Sequence, residues 1–123
     1  MASDQLTQLT KICLAFPEAS RELMAQHARF AVAKKTFAWY LHDHHGDGMI
    51  SVSCKVAPGD NQALAAAQPA RFYVPPYSGP KGWVALRLDL EELDWDEVRE
   101  LCMDSYRRIA PKRLAARLAA AAS

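Results

Sequence analysis

The features this chain of 123 residues lacks narrow the field first. It has three cysteines, Cys13, Cys54 and Cys102, widely separated, set among apolar neighbours and without a C-x-x-C pair. That excludes a disulfide scaffold and suits buried free thiols in a reducing compartment. Cys54, on the apolar side of a strand pattern, reads as core rather than as a nucleophile. No stretch approaches the ~18 apolar residues of a membrane span, and no charged-then-apolar signal segment follows Met1. The expectation is a cytoplasmic protein with no membrane partner. G-x-S-x-G, P-loop and dinucleotide fingerprints are all missing, so a non-enzymatic protein with no cofactor and no catalytic residues is expected. The formal charge is only +1, and a balance so close to zero names no partner.

Half of the residues are hydrophobic and about a quarter are charged, enough for one domain, residues 1–123, with a core that needs no staple. The charges are unevenly spread. Between Asp89 and Asp104 stand eight acids and one base, Arg99; after Ser105 come Arg107, Arg108, Lys112, Arg113 and Arg117 with no acid. A near-neutral total therefore covers a basic body and an acidic segment. Ordinary solvated helix faces explain this, and so does a basic surface built for a polyanion.

Periodicity predicts a helix over Asp4–Phe16 on Leu6, Leu9, Cys13 and Phe16, ended by Pro17. Glu18–Gln26 reads as a loop or a short helical turn. A strand begins near Ala28, Lys34-Lys35 forms a tip, and Thr36–His42 carries Phe37, Trp39 and Leu41 on one face with Ala38, Tyr40 and His42 on the other. Met49–Val56 alternates cleanly, with Ile50, Val52, Cys54 and Val56 opposite Ser51, Ser53 and Lys55. An alanine-rich helix follows over Asn61–Gln68, then short strands near Arg71–Val74 and Trp83–Leu88. Asp94-x-x-Glu97 looks like a capping box, opening a helix whose buried stripe is Val98, Leu101, Cys102, Ser105 and Ile109. Pro111 starts a last helix on Leu114 and Leu118. The order implies an α+β fold: an antiparallel sheet of four to five strands with helices packed on one face.

Three segments resemble the MmcQ/YjbR family: His27–Ala38, the run Arg71–Leu88 with its Pro-Pro-Tyr and Gly-Trp pairs, and the ending Ser105–Leu114. The resemblance implies a CyaY-like (frataxin-like) fold and, through the family label, DNA binding. The chain departs from the family at the first hairpin tip, where Ala33-Lys34-Lys35 stands in place of an expected glycine. Frataxins bind iron through an acidic first helix; here that helix offers only Asp4, so iron is not carried over.

Three constellations bear on function. The stiff loop Pro75–Trp83 either seats Trp83 in the core or presents Tyr77 and Trp83 for stacking beside Arg71, Lys81 and Arg87. Arg107, Arg108, Lys112 and Arg113 either terminate a helix favourably or join that loop in one anion-binding surface. The turn His42–Asp47 is rich in possible ligands, but adjacent residues rarely converge on one centre, and no metal is expected. The leading expectation is thus a nucleic-acid-binding module using those nine residues, with DNA preferred on the family label. The alternative is a domain that binds a protein, through the acidic helix after Asp94, or a small ligand in a pocket lined by the Tyr77–Trp83 loop.

Overall fold

A computed structural model describes residues 2–43 and 46–122. The chain runs α1 (Ala2–Leu14), β1 (Ser20–Met24), β2 (His27–Val32), β3 (Lys35–His42), β4 (Ile50–Lys55), α2 (Asp60–Ala67), β5 (Phe72–Tyr73), a 3-10 turn at Gly79–Lys81, β6 (Trp83–Arg87), α3 (Trp95–Ile109) and α4 (Lys112–Ala122). The six strands form one sheet in the order β1-β2-β3-β4-β6-β5, every neighbouring pair antiparallel. This is the expected α+β architecture with one strand more than the upper count. No helix among the described residues is long and apolar enough to cross a membrane.

The extra strand is β1, within the segment expected to be a loop or a helical turn. All five of its residues are exposed, so no alternation of burial marks it. It forms by hydrogen bonding to the edge of β2, with Arg21 opposite Phe30 and Leu23 opposite Ala28. α1 also starts and ends two residues earlier than its periodicity suggested. Phe16 is buried just beyond the last turn, where its ring meets Phe37 and Tyr106 at centroid distances of 5.9 and 5.3 Å.

A second correction concerns β3. Phe30 pairs with Ala38, but Ala31 pairs with Thr36, so Phe37 is an extra residue with no partner on β2. Such a bulge turns two successive side chains to the same side. Phe37 and Ala38 are therefore both buried against the helices with Tyr40, while Trp39 and Leu41 point to the opposite face rather than sharing one with Phe37. Ser105 of α3 holds the bulge in place. Its Oγ donates to the Phe37 carbonyl at 2.6 Å and accepts from the Lys55 N–H at 3.0 Å.

The tip of the β2–β3 hairpin also departs from expectation. Its central residues are Ala33 and Lys34, with φ of 50° and 68°. Both adopt the left-handed conformation that a tight two-residue hairpin turn demands and that glycine or asparagine takes more readily. The turn is kept and the cost is carried by ordinary side chains.

α1, α3 and α4 cover one face of the sheet. The core there joins Leu9, Cys13 and Phe16, the strand residues Phe30, Tyr40, Val52, Val84 and Leu86, the α3 residues Val98, Cys102 and Tyr106, and Leu114 and Leu118 of α4. The three cysteines converge in it as free thiols, Cys54 and Cys102 with sulfurs 3.8 Å apart. Burial pushes the Cys13 and Cys54 thiols well above their usual range. Tyr106, fully buried, donates its hydroxyl to the Pro17 carbonyl at 2.6 Å, tying α3 to the end of α1. Asp94 caps α3 through Oδ1, which accepts from the Asp96 N–H at 2.9 Å. Glu97 does not complete a capping box; its carboxylate pairs with Arg71.

Candidate functional site

The other face of the sheet carries Arg29, Trp39, Leu41, Ser51, Ser53, Lys55, Trp83, Ala85 and Arg87, aligned across β2, β3, β4 and β6 by their register. The segment joining β5 to β6 folds over part of it, and two spaces lie against that segment.

The first is a cleft of about 730 Å3 between the end of β4, the start of α2 and the 3-10 turn. Lys55, Lys81 and Arg108 line it together with Gly59, Gln62, Gly79, Pro80 and Gly82, and no carboxylate is among the lining residues. Its shape depends on two backbone features. Gly82 has φ of 92°, in the left-handed region, and the Lys55 stem lies against it. A Cβ at Gly79 would stand 2.4 Å from the Val74 Cγ1, so any side chain there would force Val74 to shift. Asn61, almost wholly buried, clamps the assembly. Its amide donates to the carbonyls of Gly79 at 2.9 Å and Trp83 at 3.2 Å, and its Oδ1 accepts from the Gln62 N–H.

The nine residues expected to bind nucleic acid are dispersed. Lys81 and Arg108 share the cleft, although Arg108 also pairs with Asp104 at 2.9 Å. Arg71 is engaged by Glu97 and Gln68 and lies over the Phe72 ring. Arg87 grips both oxygens of Asp89 at 3.0 and 3.1 Å. Burial works against the Asp89 carboxylate, yet the Arg87 guanidinium holds it below the usual carboxylate range. Arg113 reaches Glu18 at 3.3 Å, beside Arg117 at 3.2 Å, and Arg107 lies on the Met103 sulfur. Lys112 stands exposed in the first turn of α4. Tyr77, at φ 68° and 84 % exposed, projects from the loop, whereas Trp83 is half-buried opposite Lys55. A single surface drawing on all the basic residues is therefore not what the fold assembles. The loop and α3 meet at Lys81 and Arg108, and Lys55 completes the group.

Lys55 and Asn61 were not singled out from the sequence. Lys55 was read as the polar side of a strand, and Asn61 as the start of an alanine-rich helix. A polar residue opening an apolar helix is a weak signal for a buried clamp, and nothing local reveals its partners 18 and 22 residues away.

The second space is a pocket of about 260 Å3 on the uncovered face, lined by Met24, His27, Trp39, Leu41, Ser53, Pro75, Pro76 and Ser78. The loop contributes to it, but through Pro75, Pro76 and Ser78 rather than through Tyr77 and Trp83.

Of the His42–Asp47 turn, His44 and His45 lie outside the described residues. The neighbouring carboxylates serve the backbone: Asp43 Oδ1 accepts from the Gly48 N–H at 2.7 Å and Asp47 Oδ1 from the Met49 N–H at 2.9 Å. Among the described residues, no group of three or more His, Cys, Asp or Glu side chains is placed to hold a metal.

Comparison with known proteins bears on the whole frame. No curated protein sequence matches the chain. Among solved structures, the crystal structure of Deinococcus radiodurans protein DR2400, a DUF419 domain, superposes with a TM-score of 0.65 at 22% identity, over 84% of this chain and 76% of that one. At that identity the likeness speaks for the fold. The YjbR family model matches residues 14–108, from the last residue of α1 to Arg108 in the cleft. That span takes in every strand and the whole loop over the sheet, and on it the chain belongs to the YjbR family.

Proposed function

We propose that this chain is a non-enzymatic nucleic-acid-binding module that holds backbone phosphate in the cleft of Lys55, Lys81 and Arg108. The observation carrying the reading is that three cations from three separate elements line one cleft with no carboxylate among them. Lys55 and Lys81 make no ion pair among the described residues, so their charge is available to a ligand. Tyr77 on the same loop offers a solvent-facing ring for stacking on an unpaired base. DNA is the preferred nucleic acid because of the resemblance to the MmcQ/YjbR family. Three free buried thiols suit the bacterial cytoplasm as the setting.

Contacts of this kind position a backbone without reading bases, so binding should be modest and weakly sequence-specific. Three phosphate contacts on duplex DNA give a log–log salt slope of about −2.7. The test is fluorescence anisotropy of labelled random-sequence single- and double-stranded DNA at low and physiological salt. Binding with that slope, lost in a Lys55→Glu, Lys81→Glu variant, is the expected outcome. Absence of binding at low salt would remove the reading. An equal loss in Lys112→Glu, Arg113→Glu would move the contact from the cleft to α4.

A further inference from the structure

We propose that the pocket on the uncovered sheet face is a second binding site, for a small neutral aromatic molecule that carries one hydrogen-bonding group. Two independent observations point to it. The first is the pocket itself: Trp39 supplies an indole, and Met24, Leu41, Pro75 and Pro76 supply apolar walls. An apolar cavity of ~150 Å3 accommodates benzene, so about 260 Å3 suits a substituted ring or two fused rings.

The second is Ser53. Its side chain is 98 % buried in the same pocket, and its Oγ has no hydrogen-bond partner among the described residues. Its neighbours across the strands are Trp39 and Ala85. Proteins rarely leave a buried hydroxyl unpaired, because the desolvated group destabilises the fold until something bonds to it. The same strand and face show the ordinary solution two residues away, where Ser51 Oγ and the Tyr73 hydroxyl lie 2.8 Å apart. Ser53 instead lines the pocket with Trp39, Pro75 and Pro76, where a ligand's polar group completes it.

The lining also sets the ligand's charge. No Lys, Arg, Asp or Glu lines the pocket. His27, at its rim, accepts the His42 N–H on Nδ1 at 3.1 Å. A charged ligand would be desolvated there with nothing to balance it. The wall is preorganised: Pro75 and Pro76 fix backbone angles, and the Asn61 clamp holds the far end of the same loop. The pocket shares no lining residue with the cationic cleft, so the two assignments stand or fall separately.

The experiment is a two-dimensional 1H–15N NMR titration of the labelled full chain with 2-naphthol, and with naphthalene as the counterpart lacking a hydrogen-bonding group. Expected are shifts clustered at the Trp39 indole N–H and the amides of Leu41, Ser53 and Ser78. Ser53→Ala should weaken 2-naphthol roughly three- to tenfold, the worth of one net hydrogen bond, and leave naphthalene within about twofold. Met24→Glu, on an exposed edge strand where folding is not at stake, should weaken both probes. No binding at millimolar probe, shifts centred elsewhere, or an unchanged 2-naphthol affinity in Ser53→Ala would overturn the proposal.

Discussion

Ser105 and Ser53 are both almost completely buried, and they stand on opposite sides of one sheet. On the helix-covered side, Ser105 uses its hydroxyl twice, donating to the carbonyl of the bulged Phe37 and accepting the N–H of Lys55. On the uncovered side, the Ser53 hydroxyl has no hydrogen-bond partner among the described residues. The covered face also satisfies the Tyr106 hydroxyl and packs Phe37 edge-on against that ring at 5.4 Å. The open face keeps a pocket beneath prolines. One side uses its buried hydroxyl inside the fold and the other does not, a division that burial alone does not reveal, since both serines are buried.

Three substitutions sharpen or break that comparison. The largest effect is expected for Ser105→Ala, which leaves the Phe37 carbonyl and the Lys55 N–H without their partner. It should destabilise the fold by about 2 kcal/mol, seen as a lower urea midpoint with an unchanged slope. Ser53→Ala should act in the opposite direction, stabilising the free protein by about 1 kcal/mol, because it removes an unpaired buried hydroxyl rather than a bond. Should it destabilise as Ser105→Ala does, the two faces are alike and the distinction fails. The smallest effect belongs to neither face. Lys34→Gly at the hairpin tip relieves a left-handed φ of 68° and should stabilise by about 0.5 kcal/mol, the relief of strain exceeding the entropy lost by glycine. Thermal unfolding of the three variants side by side gives all three signs.

Much of the fold was legible because it is locally encoded. Ile50, Val52, Cys54 and Val56 alternate with polar residues, and β4 follows that pattern to the core. Ser105 was legible in the buried stripe of α3 for the same reason. β1 was not, because a strand exposed on every residue has no pattern of its own and exists through its pairing with β2. The assignment of faces on β3 failed at Phe37, because a bulge is decided by the partner strand and by Ser105, 68 residues away. The candidate sites divide likewise. Lys81 and Arg108 were visible as basic residues, but the other seven expected contacts lie apart from the cleft lining, most of their arginines already held by carboxylates. Lys55 joins the cleft only through the register of β4 with β6. The pocket needs Trp39 on the face of Ser53, whereas the unbulged reading of β3 set Trp39 on the face of Phe37.

The bulge at Phe37 also governs how relatives of this chain can be compared with it. At this length of β3 the bulge decides whether the indole two positions later faces the helices or the open side. A homologous sequence of equal length that paired regularly from the hairpin tip would set its aromatic residue opposite the Ala28 position and so in the interior, even if every letter around it were the same. One residue shorter, without the Phe37 position, it would keep the aromatic residue opposite the Arg29 position on the open face. Matching β3 column by column without allowing for the bulge would therefore equate positions with opposite surroundings.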